Sequence, residues 1–158
     1  MFFKNLIRYL GLILILIPYI GSGLQKITNP AVGAALLAKS NFPKMLALGD
    51  IHLGMSEYIY LIQATGVIFL TFSLFILLAV GRSFFCFLMA IGTLIITVAF
   101  HMNWENPLET SEQDLIHVSK NLALTGAFLF VCGSGHRSRK YSRAHAEVEK
   151  QQSSKKSN

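Results

Sequence analysis

Long stretches of this chain carry no charged side chain, and this feature limits its fold more than any other. Residues 9–25, 58–81 and 83–104 contain no Asp, Glu, Lys or Arg, which gives runs of 17, 24 and 22 residues. A helix needs about 20 mostly apolar residues to cross the hydrocarbon core of a bilayer. Each of these stretches therefore predicts a membrane-spanning helix.

A fourth stretch is shorter. Residues 121–135 are 15 uncharged residues, and His136 and Arg137 follow them directly. A helix that crosses the bilayer here has to begin earlier, near Asp114. We therefore predict an all-α integral membrane four-helix bundle formed by residues 1–135. Its spans are predicted at about residues 6–26, 58–81, 83–104 and 115–135.

The first span has an alternative explanation. Lys4 and Arg8 precede its apolar run and Gly21-Ser22-Gly23 follows it, an order that is typical of a secretory signal peptide. The apolar run continues to Leu24 without an Ala-x-Ala cleavage site, which favours a retained span. Pro18 lies inside this span, where a membrane helix tolerates proline with a kink.

The first loop, residues 27–56, is long but carries helix signals of its own. Asn29-Pro30 is a favourable start, because proline is preferred at the first helical position. Residues 31–39 then predict a short helix, which Phe42-Pro43 ends. The leucines of this loop predict that the short helix lies at the membrane interface.

The basic residues predict how the spans are oriented. With four spans, the N-terminus, the turn at Arg82 and the C-terminal tail share one side, which holds ten of the 14 Lys and Arg residues. Because Lys and Arg are enriched on the cytoplasmic side of membranes, we predict that both termini are cytoplasmic. Residues 136–158 are basic and poor in apolar side chains, which predicts a disordered tail.

Polar side chains gather where the spans end on the opposite side. Residues 101, 104 and 105 share one helix face, and residues 117, 120 and 121 share another, because they lie three or four positions apart. A short acidic loop brings the two faces together. The predicted cluster consists of Lys26, His101, Trp104, Glu105, His117, Lys120 and Asn121.

Two interpretations of this cluster stay open. It is either a substrate or partner pocket with titratable histidines, or a structural network that ties the helix ends together. Lys120 lies near the start of the fourth span, where an unpaired charge is costly. We therefore predict that Lys120 is partly buried and paired with Glu105 or Glu109.

The motifs of common enzymes do not occur in the sequence. It contains no G-x-S-x-G, no P-loop glycine pattern and no H-E-x-x-H. Cys86 and Cys132 lie in apolar segments without metal-ligand spacing, where cysteine usually acts as a small hydrophobic residue. The basic residues flank apolar runs, which argues against binding to nucleic acid. We expect no catalytic residues, no cofactor and no metal.

Three segments at the helix ends form a recognisable pattern. They are Gly23-Leu24-Gln25-Lys26, the pair His101 and Trp104, and residues 117–129 with the sequence HVSKNLALTGAFL. This pattern resembles the DoxX-like superfamily of four-helix membrane proteins, which includes the HR-like lesion-inducing proteins and the Surfeit-locus cargo receptors. Many bacterial members carry a glutamate early in the second span, where this chain has Gln63, so a proton-linked role is not implied.

The resemblance implies two classes of function. Eukaryotic relatives are linked to cargo export from the endoplasmic reticulum and to receptor chaperoning, and bacterial relatives to membrane-bound redox complexes. We therefore expect a non-enzymatic chaperone or cargo or assembly factor of the early secretory pathway. The alternative is an accessory membrane subunit of a respiratory or other redox complex.

Two lysines near the C-terminus bear on the compartment. Lys155 and Lys156 look like a dilysine retrieval signal, which the COPI coat reads on cytoplasmic tails, although a lysine-rich tail also produces such pairs by chance. We expect residence in the endoplasmic reticulum, with the mitochondrial inner membrane as the alternative. The expected partners are membrane lipids, membrane or secretory protein clients, and the COPI coat.

Overall fold

Helices form nearly all of the chain's described backbone. A computed structural model describes the backbone of residues 2–102 and 111–156, and the side chains of residues 3, 5–102 and 111–134. Within these ranges the chain is all-helical, as predicted, and contains no β-strand. The helices are α1 (Phe2–Thr28), α2 (Pro30–Lys39), α3 (Phe42–Ala47), α4 (Met55–Leu77), α5 (Arg82–His101) and α6 (Glu112–Lys156).

Within the described residues, four helices are long and apolar enough to cross a membrane, which confirms the predicted number of candidate spans. They are Asn5–Thr28, Met55–Leu77, Arg82–His101 and Glu112–Ser134. Large apolar side chains cover their outer surfaces; Leu14, Tyr60 and Phe130 are 67%, 70% and 77% exposed. Water would disfavour so much exposed apolar surface, whereas lipid tails accommodate it.

A tight turn separates α4 from α5. The second predicted span reaches residue 81, but α4 ends at Leu77. Ala79 and Gly81 have φ angles of 61° and 57°, in the left-handed region, which does not continue an α-helix. The next helix begins directly at Arg82, so α4 and α5 form a hairpin.

The membrane-length helices associate in two pairs. Helix α1 packs mainly along α4, and α5 packs mainly along α6. The first pair is close at Gly23 and Gly66, where a Cβ added to Gly66 would lie 2.8 Å from the carbonyl oxygen of Gly23. Small residues permit such backbone contact between membrane helices.

Tyr19 of α1 connects the two pairs. Its ring packs edge-on against Phe69 of α4 and Phe128 of α6, with ring centroids 5.3 Å and 5.1 Å away. Its hydroxyl forms a 2.7 Å hydrogen bond with Thr93 of α5. One side chain therefore contacts the other three membrane-length helices. The buried residues around it include Leu12, Leu16, Ile76, Cys86, Met89 and Ala90.

The first loop contains two short helices rather than the single one that the sequence predicts. Helix α2 covers the predicted residues 31–39, and α3 follows at Phe42–Ala47. Ala34 and Leu37 of α2 are buried in a second apolar cluster with Tyr58 and Ile62 of α4. Helix α2 therefore packs on the protein along one face.

Asn41 attaches this loop to the end of α5. Its backbone amide donates to the carbonyl of Ala99 at 3.0 Å. Its side-chain amide donates to the carbonyl of Met102. The loop thus starts from the α1–α4 pair and is fixed to the α5–α6 pair.

Helix α6 continues beyond its membrane-length part to Lys156. This differs from the disordered tail that the sequence predicts from residue 136. Composition explains the helical backbone, because residues 136–158 contain no glycine or proline and many Arg, Lys, Glu, Gln and Ala residues. Disorder of this polar segment in solution stays a prediction.

Candidate functional site

A cavity of about 620 Å³ lies between the two helix pairs. Small-molecule sites usually have volumes of about 300–1,000 Å³. The wall is mostly apolar and combines side chains from both pairs and from the first loop. Its apolar members include Leu37, Phe42, Ile62, Phe69, Ile96, Phe100 and Leu124.

Three apolar residues that line the cavity are also exposed at the surface of the protein. Leu36, Leu61 and Ile95 line it, and they are 58%, 37% and 54% exposed. Leu61 and Ile95 belong to membrane-length helices. The cavity wall therefore includes side chains that reach the outer surface of these helices.

A pair of hydroxyl groups lies at the inner end of the cavity. Thr93 Oγ1 donates to the carbonyl of Met89 at 2.7 Å. A threonine hydroxyl has a single hydrogen, so Tyr19 is the donor in its 2.7 Å bond to Thr93. Toward the cavity, this pair therefore offers acceptor oxygens.

Lys26 places an ammonium group at the cavity wall. Its Nζ donates to Ser22 Oγ at 2.5 Å and lies 5.5 Å from the centroid of the Phe69 ring. Both contacts are to neutral groups, and no carboxylate among the described residues forms an ion pair with Lys26. A half-buried cation in these surroundings attracts a carbonyl oxygen or an anion.

His101 reaches the wall from the end of α5. Its Nδ1 lies 3.1 Å from Asp114 Oδ1, and Ser111 Oγ donates to the other oxygen of Asp114 at 2.5 Å. A carboxylate only accepts hydrogen bonds, so Nδ1 of His101 carries a hydrogen. The ring also stacks on that of His117, with centroids 4.7 Å apart and an angle of 9° between the planes. Asp114 and His117 together fix the orientation of His101.

The structure brings three of the predicted site residues to one cavity. Lys26, His101 and Asn121 all line its wall. His117 is linked to them through its stacking on His101. Trp104 and Glu105 lie outside the described residues, as do the side chains of Lys155 and Lys156.

Lys120 does not behave as predicted. It is exposed, so the prediction that it is partly buried is wrong. Helix geometry gives the reason: α6 turns Asn121 toward the cavity, and the preceding residue points about 100° away from it. Its predicted partners, Glu105 and Glu109, lie outside the described residues, so that pairing stays a prediction.

Reasoning from the sequence missed four polar residues of the cavity, which are Tyr19, Ser22, Thr65 and Thr93. Tyr19 and Ser22 precede Lys26 by seven and four positions on the same face of α1. Thr93 precedes His101 by eight positions, which again keeps one face of the helix. A polar stripe along an otherwise apolar span is the sequence signal that could have identified Tyr19, Ser22 and Thr93.

The groups around the cavity are suited to binding. They provide ammonium, imidazole, amide and hydroxyl groups beside an apolar wall. In residues 2–102 and 111–134, no group of three or more His, Cys, Asp or Glu side chains is placed to hold a metal ion. The arrangement can hold the oxygen atoms of an amphipathic ligand at one end and its apolar part along the wall.

Comparisons with models of known protein families, with curated proteins and with solved structures find no match to this chain. The resemblance to the DoxX-like superfamily therefore stays a prediction, and the cavity is the physical basis for assigning a function.

Proposed function

We propose that the chain is a non-enzymatic four-helix membrane bundle that acts as a chaperone or as a cargo or assembly factor. The observation that supports this is the cavity of about 620 Å³ between the helix pairs, with Lys26, His101 and Asn121 in its wall. In this proposal, a short apolar segment of a client protein enters from the bilayer. Its backbone or terminal oxygen atoms then bind to the polar side chains.

The size of the cavity limits what it can hold. A transmembrane helix of 20 residues, 30 Å long and about 10 Å across, occupies about 2,400 Å³. The cavity is roughly a quarter of that volume, so a whole helix does not fit. A loop or a chain end of a few residues does fit, which favours recognition of a short segment.

The chemistry of the wall selects segments that combine apolar and polar groups. Phe69, Ile96 and Leu124 remove apolar side chains of the client from the lipid. Lys26 and Asn121 provide hydrogen-bond donors for carbonyl or carboxylate oxygens. An unpaired backbone carbonyl is costly in lipid, so this cavity stabilises a segment that has not yet found its own partners.

The membrane placement is part of the proposal. Helix α2 lies at the interface on the side opposite the termini, and both termini are cytoplasmic, as the distribution of Lys and Arg indicates. The compartment is the endoplasmic reticulum. The tail recruits the COPI coat through Lys155 and Lys156, and membrane lipids surround the helices.

Site-specific crosslinking tests the proposal. A photoreactive amino acid at Leu61, which lines the cavity, should capture a client protein in cells. The same substitution at Leu74, which is on the same helix and 54% exposed but outside the cavity, should capture mainly lipid. Equal protein capture at both positions would show that the cavity does not select clients.

Lys26→Met separates binding from stability. The change removes a half-buried charge but keeps most of the apolar volume, so thermal stability in detergent should stay the same or rise. Capture through Leu61 should fall at least about tenfold, the loss expected for a charge-assisted hydrogen bond. Unchanged capture would exclude Lys26 from the binding site.

A second function is favoured by the aromatic part of the wall. Tyr19, Phe69 and His101 line a space that also suits a quinone ring, with the Lys26 ammonium available to donate to its carbonyl oxygen. This supports an accessory subunit of a respiratory or other redox complex. Capture of respiratory subunits through Leu61, rather than secretory clients, would favour this function over the first.

The compartment has its own test. Changing Lys155 and Lys156 to Ser should move a fluorescently tagged chain forward to the Golgi or plasma membrane, while stability in detergent stays the same. The tag has to be at the N-terminus, so that the lysines keep their position. Unchanged location of the double variant would exclude a retrieval signal, and mitochondrial location of the wild type would support the redox-subunit alternative.

A further inference from the structure

A second, smaller pocket lies at the end of the molecule opposite the cavity, where α1 and α5 begin. It has a volume of about 130 Å³. Asn5, Arg8, Tyr9 and Leu12 line it from one face of α1, at intervals of three and four residues. Arg82, the first residue of α5, completes it. These five residues are called the basic pocket below.

Arg82 is held in place but is only partly satisfied by its neighbours. Its Nε donates to the carbonyl of Ile76 at 3.1 Å, and its Cζ lies 5.6 Å from the centroid of the Tyr9 ring. Its Nη2 is buried and has no hydrogen-bond acceptor among the described residues. A buried guanidinium nitrogen without an acceptor is unfavourable, so a ligand oxygen that reaches this guanidinium would stabilise it.

The electrostatics of the basic pocket favour an anion. It combines two guanidinium groups, from Arg8 and Arg82, and none of its five lining residues is acidic. Two like charges beside one small pocket repel each other. An anion between them is attracted by both, and this attraction offsets the repulsion. Arginine side chains bind phosphate oxygens with two parallel hydrogen bonds, and Asn5 can add a further donor.

Size and depth indicate which anion. A volume of about 130 Å³ corresponds to about four water molecules, which suits one phosphate group. The first span begins at Asn5 and the third at Arg82, so the pocket lies at the membrane edge, where lipid phosphates are found. Exposed Leu10, Ile13 and Leu14 continue along α1 into the bilayer, where acyl chains pack.

We propose that the basic pocket binds the phosphomonoester headgroup of an anionic membrane lipid. A phosphomonoester carries nearly two negative charges at neutral pH, which matches two guanidinium groups. This site is separate from the client cavity and does not depend on the function proposed for it. Its role is to attach the ends of α1 and α5 to one leaflet of the membrane.

Binding can be measured on the full chain in a mild non-ionic detergent. Dioctanoyl phosphatidic acid should raise the midpoint of thermal unfolding and appear as one bound molecule in native mass spectrometry. Dioctanoyl phosphatidylcholine and inorganic phosphate at the same concentration should do neither. An equal effect of inorganic phosphate would overturn the lipid assignment and identify a soluble phosphate compound as the ligand.

Arg8→Gln tests the pocket itself, because Arg8 is exposed and its loss should leave the fold intact. Without lipid, the variant should unfold at the wild-type midpoint or above it, because the repulsion between Arg8 and Arg82 is removed, but it should bind phosphatidic acid about tenfold more weakly. Arg137→Gln removes the same charge from the tail and should keep wild-type affinity. Equal affinity of Arg8→Gln and wild type, or an equal loss in Arg137→Gln, would overturn the proposal.

Arg82→Lys provides a second variant that keeps the charge. Lysine cannot form two parallel hydrogen bonds with one phosphate, so affinity for phosphatidic acid should again fall several-fold. Wild-type affinity in this variant would show that charge alone attracts the lipid, and would overturn the assignment of a built phosphate site.

Discussion

The carbonyl oxygen of Gly23 lies against the α-carbon of Gly66, so that a methyl group at position 66 would be 2.8 Å from that oxygen. The contact is between two backbones, which have little freedom to move apart. It holds α1 against α4 directly beside Lys26, whose Cβ would also be 3.0 Å from the added methyl. The position of Lys26 in the cavity wall therefore depends on the absence of a side chain at Gly66 of α4.

Gly66→Ala should for this reason destabilise the protein. The added methyl forces α1 and α4 apart, and overpacking of this kind costs about 1–3 kcal/mol. The midpoint of thermal unfolding in detergent measures the loss. Gly126→Ala is the matched control, because a Cβ there meets nothing within 4 Å, and it should not destabilise. Equal midpoints for both variants would mean that the helices do not meet at Gly66.

Tyr19→Phe and Thr93→Val should differ although they remove the same hydrogen bond. In Tyr19→Phe, Thr93 keeps its bond to Met89, so the free energy of unfolding should fall by only about 1 kcal/mol. Thr93→Val leaves the buried Tyr19 hydroxyl without its acceptor, which costs about 1–3 kcal/mol. Denaturation of both single variants and the double variant measures the coupling. Strictly additive effects would argue against a direct bond.

Asp114→Asn should affect stability more than Lys120→Ala. Asp114 accepts hydrogen bonds from His101 and Ser111, and the loss of its charge should cost about 1 kcal/mol for a partly exposed pair. Lys120 is exposed, and surface substitutions usually stay within about 0.5 kcal/mol. Thermal unfolding compares the two variants. A larger loss in Lys120→Ala would support the predicted buried ion pair of Lys120 with Glu105 or Glu109.

The four candidate spans predict where inserted tags are found. Tags at the C-terminus and in the turn before Arg82 should be accessible from the cytoplasm in permeabilised cells. A tag near Glu109 should be accessible only after the membrane that contains the protein is itself permeabilised. The physical reason is that ten of the 14 Lys and Arg residues are predicted on the side of the membrane that holds the first two tags. Cytoplasmic access to the tag near Glu109 would contradict the four-span arrangement.

The membrane helices could be predicted from the sequence because their signal is strong and local. The second and third spans contain 24 and 22 consecutive uncharged residues, which leave few alternatives to a spanning helix, and the first and fourth spans reach that length only with the residues that flank their shorter runs. The end of α4 was less predictable: Leu78, Ala79 and Val80 are apolar and fit a continuing span. Only the backbone conformation of Ala79 and Gly81 shows that the helix stops there.

The candidate site was predictable only in part. Lys26, His101 and Asn121 stand out as polar residues at span ends, and they do line one cavity. Tyr19 and Thr93 lie within spans, and the sequence does not show which helices face each other. The volume between the pairs depends on how α1, α4, α5 and α6 pack, which periodicity within one helix cannot determine.

The attachment of Asn41 to α5 makes the first loop sensitive to whatever fills the cavity. Leu37 and Phe42 line the cavity on either side of Asn41, whose amide hydrogen is held by Ala99. An occupant that pushes the helix pairs apart stretches this bond, whereas one that fits leaves it closed. The rate of hydrogen exchange at the Asn41 amide should therefore rise with an occupant that separates the helix pairs and stay unchanged with one that fits, which distinguishes the two without a label on the ligand.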